Sequence, residues 1–234
     1  MERTRVLHVY KSFNVYNGLI EILSVLARHM DHRKYEPAVA VYEYEDNDFG
    51  RRFEALGGRI LRLNVPRGVL YEPLRMISLY RVCRRYRPHI VQTHVLKANL
   101  YGTLAARAAR VPVSIATEMT LKDTAPSALR RVRDRLIQPL ATVAINRCDA
   151  FMVTSKFIRD QWIGSTPADR FEVVYPPFNL KKLEQVAWTP ARDGGVRICF
   201  VGRLSEEKGL PSLLTAMSRV RANAPSARLT IVGT

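Results

Sequence analysis

The chain has 234 residues, 47% hydrophobic and 25% charged, an ordinary globular composition with room for one large domain or a domain plus part of another. Its 37 Lys and Arg against 21 Asp and Glu leave a net charge of +16, a field suited to nucleotides, anionic membrane faces or nucleic acid. Three scattered cysteines, Cys83, Cys148 and Cys199, without C-x-x-C spacing, argue against a disulfide framework and a zinc site.

No run of about 18 apolar residues offers a membrane span, and Met1–Arg5 leads into a short strand rather than a leader's apolar stretch. A cytoplasmic protein is expected, with peripheral contact at the inner face of a membrane left open.

Apolar runs and amphipathic stretches alternate along the chain. Val6–Tyr10 reads as a strand, followed by a polar loop to Gly18. From Leu19, the residues Ile22, Leu23, Leu26, Ala27 and Met30 recur at helical spacing. Ala38–Tyr42 is a second strand, and Phe49–Leu56 a helix closed by Gly57–Gly58. Strand Arg59–Val65 precedes helix Leu74–Tyr86, with Pro88 beyond it. Next come strand His89–Thr93, helix Ala98–Ala109 and strand Val113–Thr117. A long basic helix is predicted over Ser127–Asn146, its apolar face carried by Leu129, Val132, Leu136, Ile137 and Leu140. Strand Ala150–Thr154, helix Ser155–Ile163 and strand Phe171–Tyr175 follow, the last ended by Pro176–Pro177. This β/α order predicts a mostly parallel sheet with helices on both faces. Residues 1–180 read as one Rossmann-like domain, 181–195 as a linker, and 196–234 as the incomplete start of a second.

Ligands of open parallel sheets lie off the carboxyl ends of the strands. Gly18, His94 with Lys97, Glu118 and Ser155 fall at such places. Gly18 either lets a ligand approach the backbone or is an ordinary turn glycine. His94 either handles a proton or is structural, and Glu118 is either functional or a solvated surface charge. In the later part, Val201–Gly202–Arg203 runs into Ser205–Glu206–Glu207–Lys208–Gly209 before a helix. Unpaired N–H groups at a helix start suit an anion, and Arg203 and Lys208 are the matching cations, unless both merely face solvent. Two further basic stretches, Arg130–Arg135 and Arg81 with Arg84, Arg85 and Arg87, suit anionic lipid or acidic substrate, or are solvated helix faces. Aromatic residues are not interleaved with basic ones, so nucleic acid is not expected as a partner. The G-x-x-x-x-G-K-[ST] phosphate loop is missing.

The run Phe200–Val201–Gly202–Arg203–Leu204–Ser205–Glu206–Glu207–Lys208–Gly209, continuing through Leu213–Leu214, Ala216 and Pro225 to Leu229–Thr230–Ile231–Val232–Gly233, resembles glycosyltransferase family 4, whose fold is GT-B. Pro88–His89–Ile90–Val91–Gln92–Thr93–His94, Gly102–Thr103–Leu104–Ala105–Ala106–Arg107 and Val111–Pro112–Val113 look like its P-D-[IV]-V-H-T-H, G-x-L-A-A-R and G-V-P elements. Asp149–Ser155 is similar to its D-x-x-[VI]-x-x-S element.

The resemblance implies a retaining, hexosyltransferase-like enzyme that moves a sugar from a nucleotide-sugar donor to a glycan or lipid-linked acceptor. Polysaccharide, lipopolysaccharide or glycolipid assembly is the expected setting. The first domain would bind acceptor, through candidates His94, Lys97, Glu118 and Ser155, with His94 and Glu118 the catalytic candidates. Arg203, Lys208 and Gly18 would hold the donor diphosphate, and no cofactor or metal would be needed beside the nucleotide-sugar. Asn17 replaces the first glycine of the family's G-G-x-E, and Ile20 its glutamate. Met119 replaces the histidine of T-E-H, and Pro176–Pro177 stands where relatives have N-G. The family's E-x7-E segment would fall beyond Thr234, so this chain alone is expected to be inactive. The alternative expectation is a non-catalytic basic α/β module that docks on an anionic membrane or a partner.

Overall fold

The structure, a computed structural model, describes residues 2–14, 17–63, 65, 72–120, 128–178, 180, 184 and 196–233; for 72, 128–134 and 207 it describes the backbone alone. The chain divides into two compact units, Met1–Asn179 and Leu180–Thr234. The predicted linker at 181–195 lies almost wholly outside the described residues, as do the side chains of Arg130, Arg131 and Arg133.

In the first unit the elements run β1 (Thr4–Ser12), α1 (Gly18–His29), β2 (Tyr35–Glu43), α2 (Asp48–Ala55), β3 (Arg59–Arg62), α3 (Glu72–Tyr86) and β4 (Ile90–His94). Then come α4 (Leu96–Ala108), β5 (Val113–Glu118), α5 (Ala128–Ile145), β6 (Ala150–Val153), α6 (Lys156–Trp162) and β7 (Phe171–Val173). The seven strands form one sheet in the order β3-β2-β1-β4-β5-β6-β7, every pair parallel. The expected Rossmann-like α/β fold is present. Strands β1 and β2 outrun their apolar cores because the backbone ladder continues through polar residues, from Thr4↔Tyr35 to Ser12↔Glu43. β3 is shorter than predicted.

Period-two alternation sorts the core onto two faces. Leu7, Val9, Ala38 and Ala40 pack with Leu79 and Cys83 of α3 on one face. Val39 and Val41 pack with Leu19, Ile20 and Leu23 of α1 and Phe53 of α2 on the other. Each fully buried Val, Leu, Ile or Phe among them contributes about 1.5–3 kcal/mol relative to exposure. Near β6, the Phe151 ring meets Trp162 edge-on at 5.1 Å and Phe171 at 5.3 Å.

The helix ends show why the elements stop. Asn47 caps α2 by accepting from the Gly50 N–H at 2.9 Å, and Gly57 closes that helix at φ +85°. α3 and α4 end differently. Arg87 (φ 50°) and Arg110 (φ 57°) take the left-handed conformation usually given to glycine. That conformation costs a non-glycine residue about 1–2 kcal/mol, and a cation at a helix C-terminus returns about 0.3–1 kcal/mol.

The long basic helix departs from the core-packed alternative at two of its apolar positions. Leu136 and Leu140 do not face the core; they are 72% and 60% exposed, and Val143 is 49% exposed. The packing face of α5 is instead Ala141 and Ala144, with Ile137 alongside. Two small alanines let α5 lie close against α4.

The second unit pairs β8 (Arg197–Val201) with β9 (Arg228–Val232) in parallel, joined by a 3-10 turn at Glu206–Lys208 and helix α7 (Leu210–Asn223). A Cβ on Gly233 would overlap the carbonyl oxygen of Gly202, so these strand ends approach as only glycine allows. Cys83 and Cys148 are buried thiols and Cys199 is exposed. Among the described residues, no helix is long and apolar enough to cross a membrane, and no group of three His, Cys, Asp or Glu is placed to hold a metal ion.

Candidate functional site

Because all strands of the first unit point the same way, the loops after β1, β4, β5 and β6 share one edge of its sheet, and these are neighbouring strands. His94 does not follow β4 but is its last residue, and it is buried. Its Nε2 lies 3.2 Å from Nδ1 of His8, on the adjacent strand, with the rings stacked at 5.4 Å. Burial holds His94 well below the ordinary histidine pKa, with a smaller contribution from His8, and burial takes His8 down to about 4. Both rings are therefore neutral at physiological pH. Nδ1 of His94 is buried without a hydrogen-bond partner. An unmet N–H is rarer in proteins than an unmet acceptor, so we assign the shared proton to His94 Nε2 and a lone pair to Nδ1.

The turn after His94 is strained. Val95 adopts φ 66° and ψ 160°, a region that side chains, and β-branched ones above all, avoid. Asn99, fully buried, holds the turn in place. Its Nδ2 donates to the Thr117 carbonyl at 3.1 Å, its Oδ1 accepts from Thr93 Oγ1 at 2.7 Å, and the Val95 N–H donates to the same Thr117 carbonyl at 2.9 Å. Lys97 sits in the first turn of α4, partly buried.

Glu118 ends β5 and is 2% exposed, so the reading as a solvated surface charge is corrected. Its Oε1 accepts from the N–H groups of Met119 and Thr120, both at 3.1 Å, and from Thr120 Oγ1 at 2.6 Å. Burial nonetheless raises its pKa above the ordinary carboxylate value. Burial disfavours the charged carboxylate, and the three hydrogen bonds to Oε1 act in the opposite direction.

Ser155 is the N-cap of α6, its Oγ accepting from the Ile158 N–H at 3.2 Å. Gly18 opens α1. A Cβ there would meet nothing within 4 Å and its φ is not positive, so neither packing nor conformation asks for glycine. Asn17 caps the same helix, its Oδ1 accepting from Leu19 N at 3.0 Å and Ile20 N at 3.3 Å. Two of the N–H groups that an anion would use at this helix start are thus already engaged.

In the second unit, Arg203 and Lys208 are both exposed, on the loop between β8 and α7. Lys208 ends the 3-10 turn rather than lying in the helix. Gly209, at φ 72°, forms the N-cap of α7 without a side-chain cap bond.

The sequence pattern of the glycosyl transferase 4-like domain matches residues 17–177. The chain belongs to this family. Glycosyltransferase structures resemble it in fold. Sucrose-phosphate synthase from Thermosynechococcus elongatus superposes with TM-score 0.71 at 16% identity, covering 99% of this chain and 62% of its own. Anabaena Alr3699/HepE in complex with UDP and glucose gives TM-score 0.67 at 15% identity, covering 98% and 61%. The apo lipopolysaccharide outer core galactosyltransferase WaaB gives 0.66 at 15% identity, covering 99% and 69%. This chain therefore spans 61–69% of the length of these structures. None of the curated proteins matches it in sequence.

Two departures from the glycosyltransferase 4 pattern fall in one apolar cluster. Ile20 is 1% exposed in the apolar cluster of α1, and Met119 packs against that same cluster. His8, Val95 and Asn99 were not among the sequence-predicted candidates. A histidine inside an apolar strand reads as core, and a strained dihedral leaves no mark in composition.

Proposed function

We propose that this chain takes part in retaining transfer of a hexose from a nucleotide-sugar to a glycan or lipid-linked acceptor, in assembly of a surface polysaccharide, lipopolysaccharide or glycolipid. What carries the reading is the setting of Gly18, His94 and Glu118 at the carboxyl ends of adjacent strands in a chain of this family. In the reaction the bond between the anomeric carbon and the diphosphate oxygen breaks, and its electron pair stays with the nucleoside diphosphate. The acceptor hydroxyl oxygen bonds to that carbon on the same face, and its proton passes to the departing diphosphate.

Arg203 and Lys208 would offset the charge growing on the leaving group, so no metal or cofactor is required. Gly18 would expose its backbone to a phosphate oxygen. The Glu118 carboxyl group and the lone pair of His94 Nδ1 would contact sugar hydroxyls, with Lys97 in the first turn of α4. Ser155 enters only as the cap that holds α6.

Calorimetric titration with UDP-, ADP- and GDP-sugars tests the proposal. One donor class should bind, and Arg203→Ala or Lys208→Ala should weaken it about ten- to a thousand-fold, as loss of one electrostatic stabiliser commonly does. Binding indifferent to both substitutions would sink the assignment.

A specific observation favours a membrane role as well. Leu136, Leu140 and Val143, exposed at helical spacing on α5, follow Arg130, Arg131, Arg133 and Arg135 in sequence. That is the pattern of a helix lying on an anionic bilayer, fitting a protein acting at the cytoplasmic face. Cosedimentation with phosphatidylglycerol vesicles should fall on Leu136→Gln/Leu140→Gln substitution. This contact is also the heart of the alternative reading, a non-catalytic docking module, which predicts vesicle binding without any donor affinity.

A further inference from the structure

A recess of ≈320 Å³, roughly ten waters by volume, opens at the amino ends of β1, β4 and β5, the sheet edge opposite His94 and Glu118. The C-terminal ends of α3 and α4 border it. Arg5, Arg84, Arg87, His89 and Arg110 line it, and none of its described lining residues is a carboxylate.

Arg5 is committed. Its Nε donates to the Arg87 carbonyl at 2.8 Å, and its guanidinium pairs with Glu2 at 2.6 Å. The Arg5 N–H donates to Nδ1 of His89 at 3.0 Å, which leaves Nε2 as that ring's donor. By contrast, the side chains of Arg84, Arg87 and Arg110 have no hydrogen-bond or ion-pair partner among the described residues. In the neighbouring recess between β3 and α3, two of the three arginines among its described lining residues, Arg59 and Arg62, are engaged, and Arg85 is not. There Arg59 lies 5.9 Å from the Tyr86 ring and 3.9 Å from Glu36, and Arg62 sits 4.4 Å over Tyr44.

Helix termini explain only part of this charge. Two C-terminal ends carry roughly −0.5 each, against three uncommitted guanidiniums. Arg87 and Arg110 are moreover held at left-handed φ, where the backbone cost exceeds what the dipole returns. Arg110 precedes Val111–Pro112, the place of the glycine in the G-V-P element. A cation stands where a glycine would be the easier residue, and it faces the same recess as its counterpart at the end of α3.

We propose that this recess binds a phosphate-bearing anion, gripped by the guanidiniums of Arg84, Arg87 and Arg110. The planar fork of arginine matches phosphate oxygens two at a time. Among the described residues the recess has no Phe, Tyr or Trp on which bases could stack, which disfavours a nucleic-acid strand as occupant. The phosphate belongs either to a soluble polyphosphate or to an anionic lipid headgroup.

The test titrates inorganic pyrophosphate into the whole chain bearing Arg203→Ala/Lys208→Ala, which silences the loop of the second unit. Pyrophosphate binding should persist there and weaken at least tenfold when Arg84→Gln and Arg110→Gly are added. Glycine suits the φ of residue 110 and Arg84 is exposed, so the melting temperature without ligand should hold or rise, certifying the fold. Absent binding in the first background, or binding unchanged by the added substitutions, overturns the proposal. Flotation with phosphatidylcholine vesicles, with and without phosphatidic acid, distinguishes the sources. Recruitment that depends on Arg84 and Arg110 assigns a lipid phosphate, and tight pyrophosphate binding without recruitment assigns a soluble one.

Discussion

Nδ1 of His8 and Nε2 of His94 face each other at 3.2 Å across adjacent strands, both rings buried and stacked. One proton serves the pair, and neither ring can charge without leaving its counterpart beside an interior cation.

This arrangement makes the first unit sensitive to acid. A histidine whose folded pKa is depressed refuses a proton that the unfolded chain accepts near 6.5. Its stabilising contribution is complete above 6.5 and is lost as pH falls, toward about 4 for His8. The melting temperature should therefore drop between pH 7 and pH 5. A His8→Gln/His94→Gln variant should show a flatter profile over that interval, measured by thermal melts across the series.

Glu118 carries the opposite sign. Its raised pKa means that folding favours the protonated carboxyl, so stability is full below the ordinary carboxylate range and declines as pH rises through the folded value. Glu118→Gln should leave the melting temperature at pH 8 unchanged or higher. Donor or acceptor affinity, read by titration, should nonetheless shift if the carboxyl touches sugar.

Asn99 and Val95 form a coupled pair. Asn99→Ala removes the bonds to Thr93 and Thr117 from a fully buried position, which should cost about 2–4 kcal/mol in chemical denaturation. Val95→Gly relaxes the left-handed backbone and should recover part of that loss when combined with it. Simple additivity in the double-mutant cycle would show that Asn99 does not hold the strain.

Ile20→Glu places a carboxylate in a closed apolar cluster, and it should destabilise by about 3 kcal/mol or more. If Ile20 and Met119 are one compensated change, adding Met119→His should recover a measurable fraction. No recovery would mean that the two positions drifted independently.

Much of the fold was legible because apolar runs of five or six residues alternated with 3.6-period stretches, and Gly57 and Pro88 marked helix ends. The candidate edge was legible too, since parallel strands gather their following loops wherever those loops fall in sequence. What stayed hidden has physical reasons. The burial of Glu118 depends on neighbours from other elements. The outward turn of Leu136 and Leu140 reflects a contest between two faces of α5, which small alanines won by allowing closer approach. Strain at Val95 is a matter of dihedrals, and dihedrals at a β-branched residue are not announced by its identity.

The three thiols differ in reach. Cys83, its pKa pushed up to about 12 by burial, and Cys148, raised by the same cause, are sealed inside the first unit, whereas Cys199 lies open on β8, three residues before Gly202. A maleimide dye added at neutral pH to the native chain should label one position only. The protein thus comes with its own attachment point for a fluorescent reporter, seated on the strand that leads into Arg203, and no engineered cysteine is required to watch that loop respond.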